Sequence, residues 1–319
     1  MPAPLHRPEE PALRPLSVVV PTYRRPEQVV RMTARLLSEP ELQEVVVAID
    51  GPDEELVRRL DALADRRLTV VALPHNVGQS AAREAGVRAA SGEVVLLVDD
   101  DVELEPGTVA GHARAHADRS GLVLVGYNPV ALPPRRRPGM AATYLYAAEY
   151  DRAWRDLLRD EELVLDRLWA GHLSLERTSY LSAAGHDWPV RYHEDQELGR
   201  RFRAGGLQGQ AAHHLVSRHH HSRTFEQSVE ESRRQGQALA LLARRWPERP
   251  LPEYATRAGR LGVLRALERP VVGAVVVRGC RVLGGLAGRL HLWGVETAAL
   301  RLARQTTLRG ALRTALQRS

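Results

Sequence analysis

The 319-residue sequence contains no lysine, so every basic residue other than histidine is arginine. A single cysteine, Cys280, excludes an internal disulfide framework and a cysteine-rich zinc site, and it indicates a reducing compartment. The chain also lacks an uninterrupted apolar run of about 18 residues. Arg278 and Arg281 divide the longest apolar stretch. We therefore expect no transmembrane helix.

Charge and composition limit the classes of partner. With 44% hydrophobic and 26% charged residues, the chain has the balance of a soluble globular protein. Its formal net charge of +6 suits nucleic acid, an anionic membrane face or a phosphate-bearing substrate. The arginines are spread along the chain without a nucleic-acid-binding motif, so we predict no nucleic-acid partner. Residues 1–15 are proline-rich and lack the apolar core of a signal peptide, which predicts a disordered lead-in.

Short β-branched runs alternate with helical patterns in the first third of the chain. The predicted strands are Leu16–Pro21, Glu44–Ile49, Leu68–Leu73 and Glu93–Val98, and the predicted helices are Pro26–Ser38, Leu56–Leu63 and Ser80–Ala90. This alternation predicts a parallel sheet with helices on both faces. Ligands of such sheets bind at the carboxyl ends of the strands, where polar residues follow the first, second and fourth strands here.

The alternation ends near residue 106. Beyond it, Pro133–Pro138 has the composition of a loop and Ala141–Arg159 the pattern of a helix. From about residue 225 the chain reads as helical and arginine-rich, with a break at Trp246-Pro247. These features predict a domain over 16–245, divided near 106, and a helical C-terminal extension over 246–319.

Three adjacent carboxylates, Asp99, Asp100 and Asp101, follow the fourth strand. Their mutual repulsion is relieved by a divalent cation with oxygen ligands, and Mg²⁺ or Mn²⁺ would bridge them to a substrate diphosphate. A solvated acidic turn is the alternative interpretation. The position at the end of a buried strand favours the metal.

Three loops after predicted strands have the residues of a nucleotide pocket. Val20-Pro21-Thr22-Tyr23-Arg24-Arg25 and Asp50-Gly51 offer a ring to stack on a base and a carboxylate to accept from it. In His75–Arg83, a glycine turn opens an alanine-rich helix, whose free N–H groups and Arg83 suit a phosphate or ribose. Each loop alone would be ordinary punctuation between elements.

Two further clusters are candidates for chemistry. In His193–Arg201, Glu194 and Asp195 at the start of a helix offer a general base. Acidic enrichment by the helix dipole is an equal alternative. One imidazole among His213, His214, His219, His220 and His221 would complete a mixed carboxylate–histidine metal site, with a polar surface loop explaining the rest.

Five motifs in this order resemble the family 2 glycosyltransferases with the GT-A fold, over roughly residues 16–245. They are VPTYRR, DG-PD, HNVGQSAAREAG, EVVLLVDDDVELEP and HEDQELGRR. The resemblance implies a mixed, mainly parallel Rossmann-like sheet flanked by helices. Where the family often has two acids, this chain has Ile49-Asp50 and keeps only the second.

The resemblance also implies roles for individual residues. The implied donor-binding residues are Pro21, Thr22, Tyr23, Arg24, Asp50, Asn76, Gly78, Arg83, Asp99 and Asp100. The implied metal ligands are Asp99 and Asp101, the ends of the DxD motif, with His219, His220 or His221, among which the sequence does not choose. Asp195, with Glu194 beside it, occupies the position of the family's base. Gly171–Ser174 and the Gly185–Asp187 turn match the region that shapes the acceptor pocket.

These roles imply a metal-dependent transfer of sugar from a nucleoside-diphosphate sugar to an acceptor hydroxyl, with inversion. A UDP-sugar is the favoured donor, and the acceptor is a glycan, a lipid-linked group or a small molecule in cell-envelope or extracellular polysaccharide synthesis. The alternative is another transferase chemistry on the same fold, either a retaining transferase or a nucleotidyltransferase. The sequence lacks the lysine-rich phosphate loop of the latter and the G-x-G-x-x-G of dinucleotide oxidoreductases. A dead binding module would be expected to have lost carboxylates that are present here.

The arginine-rich C-terminal helices leave two hypotheses open. They lie on an anionic membrane surface, or they pack against the catalytic domain or a second subunit as in a homodimer. The predicted location is the cytoplasm, with or without peripheral contact at the inner face of the cytoplasmic membrane.

Overall fold

The computed structural model describes residues 13–39, 41–185, 188–249 and 270–317. The N-terminal elements are β1 (Leu16–Thr22), α1 (Pro26–Leu37), β2 (Glu44–Ile49), α2 (Glu54–Asp61), β3 (Leu68–Ala72), α3 (Gln79–Ala89), β4 (Val94–Val98) and β5 (Val102–Leu104). Next come α4 (Thr108–Ala115), β6 (Leu122–Tyr127), α5 (Ala141–Arg159), α6 (Leu163–Asp166), β7 (His172–Glu176), α7 (Arg177–Ala183), α8 (Glu194–Ala204) and β8 (Gln208–His219). The last helices are α9 (Phe225–Arg245), α10 (Pro270–Arg289) and α11 (Trp293–Gln317).

The eight strands form one mixed sheet in the order β3-β2-β1-β4-β7-β6-β8-β5. The first four are parallel, β7 runs antiparallel to both β4 and β6, and β6 pairs in parallel with β8. The predicted mixed, mainly parallel sheet is confirmed. β1 and β4 are central and buried along their whole length. Because both of their faces are covered, they appear in the sequence as continuous apolar runs without polar–apolar alternation, as predicted.

The core below the carboxyl ends of β1, β2 and β4 is one apolar cluster. It joins strand residues such as Val18, Val47 and Leu96 to Val29 of α1 and Leu56 of α2. Each helix turns its apolar stripe toward the sheet. The packing holds the three strand ends, and the polar residues that follow them, on a rigid base.

The prediction that most of the histidine cluster lies in a surface loop is wrong, because His213, His214 and His219 belong to strand β8. Ala212 pairs with Gly126, but Val216 pairs with the next residue, Tyr127. The intervening residues therefore form a bulge, where exposed histidines are tolerated in a strand. Polar residues at a bulge hide the period-two pattern from which strands are predicted.

The chain divides into two compact units, each built from several segments. Unit 1 comprises Met1–Asn128, Asp160–His186 and Leu198–Arg218. Unit 2 comprises Pro129–Arg159, Asp187–Glu197 and His219–Ser319. In unit 2 the predicted helix Ala141–Arg159 is confirmed, and α9 ends at Arg245, directly before the predicted break.

Three sequence predictions fall at least partly outside the described residues. They concern the first part of the lead-in, the His186-Asp187 turn and residues 250–269 of the C-terminal extension. Within the described part, the segment Val271–Arg289 is a single helix long and apolar enough to cross a membrane by length and composition alone.

Candidate functional site

The three aspartates lie in the short link between central strand β4 and edge strand β5. The Asp99 N–H donates to the Gly171 carbonyl (3.1 Å), and the Val102 N–H donates to the Asp99 carbonyl (3.0 Å). These backbone bonds force a tight turn directly after Val98. Three carboxylates therefore meet at the carboxyl edge of the sheet in unit 1.

Asp100 and Asp101 share one cation. Nη1 of Arg25 donates to Asp100 Oδ1 at 2.7 Å and to Asp101 Oδ2 at 2.9 Å. Thr22 Oγ1, at the end of β1, donates to Asp100 Oδ2 at 2.8 Å. Burial raises the pKa of Asp100 to about 6, and repulsion from Asp101 and Asp99 acts in the same direction, against Arg25 and Thr22. Asp100 thus lies where negative charge is costly.

Asp99 faces the start of helix α3. Its Oδ1 accepts from Gln79 Nε2 (2.6 Å) and from Arg83 Nη2 (3.1 Å), and the Arg83 side chain is buried. A Cβ added at Gly171 would lie 2.7 Å from Asp99 Oδ2, so only glycine leaves room for this carboxylate. The acidic turn and the glycine loop before α3 are therefore one connected site.

Asp50, after β2, organises that glycine loop. Its carboxylate is buried and accepts from Asn76 Nδ2 (2.8 Å), from the Val77 N–H (2.7 Å) and from the Gly78 N–H (3.0 Å). Gly78 has φ +108°, a conformation that L side chains rarely adopt, and it caps α3. Hydrogen bonds thus link Asp50, Asn76 and Gly78 in one loop, which leads into the helix whose Arg83 contacts Asp99 at the same edge of the sheet.

The predicted ring at the end of β1 is accessible. Tyr23 is 43% exposed, and the Arg24 guanidinium lies 5.0 Å from the centre of its ring. Arg24 has φ +53°, a left-handed conformation that is uncommon for arginine. Pro21, by contrast, is buried within β1, so its side chain is not exposed at the strand end as that of Tyr23 is.

Two residues at this edge were quoted within the motifs but were assigned no role. Arg25 neutralises Asp100 and Asp101, and Gln79 contacts Asp99. Both lay inside quoted motifs, next to residues that were chosen. The sequence contained a feature that could have identified Arg25. Three adjacent carboxylates need more positive charge nearby than Arg83 alone provides.

Asp195 and Glu194 belong to unit 2, in the first turn of α8. His193, just before the helix, has φ +57°. Glu197, one turn on, is buried and pairs with Arg245 of α9 at 3.3 Å. The helix start is therefore anchored by Glu197, and Asp195 is left partly accessible, as a general base must be.

His219 and His221, also in unit 2, stack on each other with ring centroids 4.9 Å apart. The Tyr146 ring makes edge contacts with both. Arg223 Nε donates to His221 Nε2 at 2.8 Å, and the Arg223 guanidinium lies 3.7 Å from the Tyr146 ring centre. This hydrogen bond engages one ring nitrogen of His221. Tyr146 and Arg223 were not foreseen as neighbours of the histidines.

The prediction that Gly171–Ser174 shape an acceptor pocket is corrected for His172 and Ser174. Both side chains are buried within β7. His172 Nε2 lies 3.0 Å from His112 Nε2, and Ser174 Oγ lies 2.7 Å from His112 Nδ1 and 2.8 Å from His116 Nε2. Burial lowers the pKa of His172 to about 3 and that of His116 to about 4, and it lowers the pKa of His112 well below its ordinary value. These residues form a neutral polar core.

Sequence comparison matches this chain to known transferases. A model of the family described as Glycosyl transferase family 2 matches residues 17–158. The dodecaprenyl-phosphate galacturonate synthase of Rhizobium johnstonii is 30% identical over 140 residues, which is 41% of this chain and 41% of that protein. The undecaprenyl-phosphate 4-deoxy-4-formamido-L-arabinose transferase of Aeromonas hydrophila is 30% identical over 129 residues, 38% of this chain and 37% of that protein. The chain thus spans about two fifths of each relative's length.

A solved structure extends the likeness to most of the chain. The mannosyltransferase PcManGT from Pyrobaculum calidifontis, solved with GDP-Man and Mn²⁺, has a TM-score of 0.56 and 17% sequence identity, covering 96% of this chain and 91% of that one. At this identity the match shows a shared fold. It confirms the GT-A architecture expected from the five motifs.

Proposed function

We propose that the chain is a family 2 glycosyltransferase, because that family's model matches residues 17–158, and that it transfers a sugar from a nucleoside-diphosphate sugar to an acceptor in cell-envelope glycan synthesis. One observation carries the proposal. The acidic turn after β4 is joined to the glycine loop before α3 through Gln79 and Arg83, which both contact Asp99. A diphosphate needs such a combination of cations and metal-binding carboxylates.

The donor nucleotide is proposed to lie across the ends of β1 and β2. Tyr23 offers an exposed ring for stacking on the base, and Asp50 and Thr22 line the pocket beside Asn76 and Gly78. Arg24 and Arg83 supply positive charge near the diphosphate, with Asp100 toward the ribose. Asp50 already accepts hydrogen bonds from the 76–78 loop, so it also positions that loop around the nucleotide. A UDP-sugar remains the favoured donor.

The residues at the acidic turn fit a divalent metal. Carboxylate oxygens are the ligands that Mg²⁺ and Mn²⁺ prefer, and the absence of a side chain at Gly171 accommodates the Asp99 carboxylate in this turn. Asp99 and Asp101 would hold the ion, and His219 and His221 stay the predicted imidazole ligands. When bound, a metal of this kind neutralises charge on a departing nucleoside diphosphate.

Asp195 is proposed as the base, with Glu194 beside it. It would remove the proton from the acceptor hydroxyl as that oxygen attacks the anomeric carbon, opposite the leaving diphosphate. Arg83 stabilises the negative charge that grows on the departing group. A single in-line displacement of this kind inverts the configuration at the anomeric carbon.

The acceptor is proposed to be lipid-linked. Two relatives are named for polyprenyl-phosphate substrates. The alignments cover about two fifths of this chain and of each relative, so the acceptor has to be tested directly. A lipid-linked acceptor agrees with the predicted cytoplasmic location and with peripheral contact at the inner face of the membrane.

The test is thermal unfolding with UDP-, GDP- and dTDP-sugars, each with and without Mn²⁺. We expect one nucleotide class to raise the Tm in a metal-dependent manner, and Asp101→Ala to remove the metal dependence. Asp61→Ala, an exposed acid on α2, is the matched control and should behave as wild type. Stabilisation by no nucleotide sugar would refute the proposal, and anomeric analysis of the product decides inversion against retention.

A further inference from the structure

One face of helix α10 is covered by helix α11 within unit 2. Cys280 is buried in a small cluster with Ala299 and Ala303. Gly284 is so near α11 that an added Cβ would touch Ala299 at 3.7 Å. Ala287, one turn on, is also buried. Small residues thus let the two helices pack closely along this face.

A second face of α10 is apolar and exposed. We call it the apolar stripe: Val271, Val275, Val282, Leu283, Leu286 and Leu290, the last just beyond the helix end. These side chains are between 52% and 78% exposed. At about 100° per residue, all six fall within roughly one third of the helix circumference. The stripe therefore runs along the length of the helix, with Gly279 between Val275 and the denser cluster from Val282 to Leu290.

The remaining face of α10 is cationic. On the helical wheel Arg278 and Arg281 lie beside the stripe, Arg289 lies at its edge in line with Val271, and all three are exposed. The segment 270–292 contains no aspartate or glutamate. Arg281 pairs with Glu226 of α9, but both side chains are more than half exposed, so that pair is weak.

From these three faces we infer that α10 lies in the surface of an anionic lipid membrane, with the apolar stripe inserted and the arginines at the headgroups. An exposed apolar stripe bordered by arginine is the pattern of an interfacial helix. The inference does not depend on the proposed transfer reaction.

Two other arrangements of α10 are disfavoured by the same observations. A spanning helix would have to place Arg278 and Arg281 in the hydrocarbon core, and its face with Cys280 is already packed on α11. A second copy of the chain pairing stripe to stripe about a two-fold axis would bring like-charged arginines together. Lipid phosphates complement those arginines instead.

The experiment is flotation of the full chain with vesicles of phosphatidylcholine alone, or with about a quarter phosphatidylglycerol. The doubly substituted Val282→Glu/Leu286→Glu chain is compared with Leu158→Glu, which alters an exposed leucine of α5. We expect wild type and Leu158→Glu to float with anionic vesicles only, and the stripe variant to bind at least roughly tenfold more weakly.

Arginine variants test the charge. Arg278→Gln/Arg289→Gln should weaken binding roughly fivefold per arginine removed. The control Arg152→Gln/Arg155→Gln removes two exposed arginines from α5 and should bind as wild type. Circular dichroism checks that each variant is folded.

Three outcomes would overturn the inference. They are wild type that fails to float, a stripe variant that floats as well as wild type, and a lipid-free dimer that the stripe variant dissociates in sedimentation velocity. The last would assign the stripe to self-association. Thermal shifts with nucleotide sugars on the same samples report donor binding separately, so failure here and failure of the transferase proposal are distinguishable.

Discussion

The Arg83 guanidinium pairs with the Asp99 carboxylate at 3.1 Å, and 3% of the Arg83 side chain is exposed against 26% for Asp99. The buried Arg83 guanidinium is therefore a fixed positive charge next to Asp99, a partly exposed aspartate of the acidic turn. It is rigid, because its helix packs against the sheet. The charge that would meet a diphosphate is thus in place before any ligand binds.

Replacing Arg83 should cost stability as well as function. Arg83→Gln leaves Asp99 without this ion pair, and we expect a loss of about 2 kcal/mol, reduced from the buried-pair value because Asp99 is partly exposed. Urea denaturation at neutral pH measures it. Arg58→Gln, which removes an exposed helix pair, should change stability by less than about 0.5 kcal/mol. Equal effects of the two substitutions would contradict the role given to Arg83.

Asp50 should hold the 76–78 loop in place. Asp50→Ala removes the acceptor for Asn76 Nδ2 and two backbone N–H groups, which should cost about 3 kcal/mol. Asp50→Asn keeps one acceptor oxygen, so its free energy of unfolding should fall by less than that of Asp50→Ala. Hydrogen exchange read at the Val77 and Gly78 amides should rise in the order wild type, Asn, Ala. Unchanged exchange in the alanine variant would show that the loop is held by something else.

The buried histidines should make the protein sensitive to acid. Their folded pKa values are lowered below the ordinary 6.5, so the unfolded chain binds protons that the folded chain refuses. Stability is then unaffected by these groups above pH 6.5, and it falls as pH decreases toward about 4. Each histidine contributes up to about 1.4 kcal/mol per pH unit in this window.

Urea denaturation between pH 7.5 and pH 4.5, roughly the window set by these values, measures the slope. His116→Gln removes one of the three groups and should make the slope shallower by one proton's contribution. His220→Gln, at an exposed position, should leave it as in wild type. A wild-type slope that stays flat through this range would argue against a neutral histidine core.

Asp195→Asn should separate chemistry from donor binding. Loss of the proposed base should reduce transfer by roughly 10²–10⁴-fold, while metal-dependent Tm shifts with the donor stay close to those of wild type. Asp61→Asn serves as the control for an exposed acid. Transfer at the wild-type rate in the Asp195 variant would exclude this residue as the base.

Local patterns predicted much of the fold because local physics decides it. The runs that became β1, β2 and β4 are apolar on both faces, and a strand covered by helices on both sides requires that. Gly78 marked the start of α3 through its backbone freedom. Strands β7 and β8 escaped prediction because their polar side chains, such as His172 and His213, are accommodated by burial against other histidines and by a bulge.

The sequence by itself determined which side chains follow the ends of β1, β2 and β4, and so which carboxylates share one edge of the sheet. The order of side chains along the sequence can be read directly. The alternation of strand and helix patterns indicates that neighbouring strands are parallel, so that their carboxyl ends share one edge. Only the tertiary structure decided the partners: Arg25 with Asp100 and Asp101, Arg83 with Asp99, His112 with His172 and Ser174. Such pairs join residues far apart in sequence, and packing selects each of them from many charged or polar groups of the same kind.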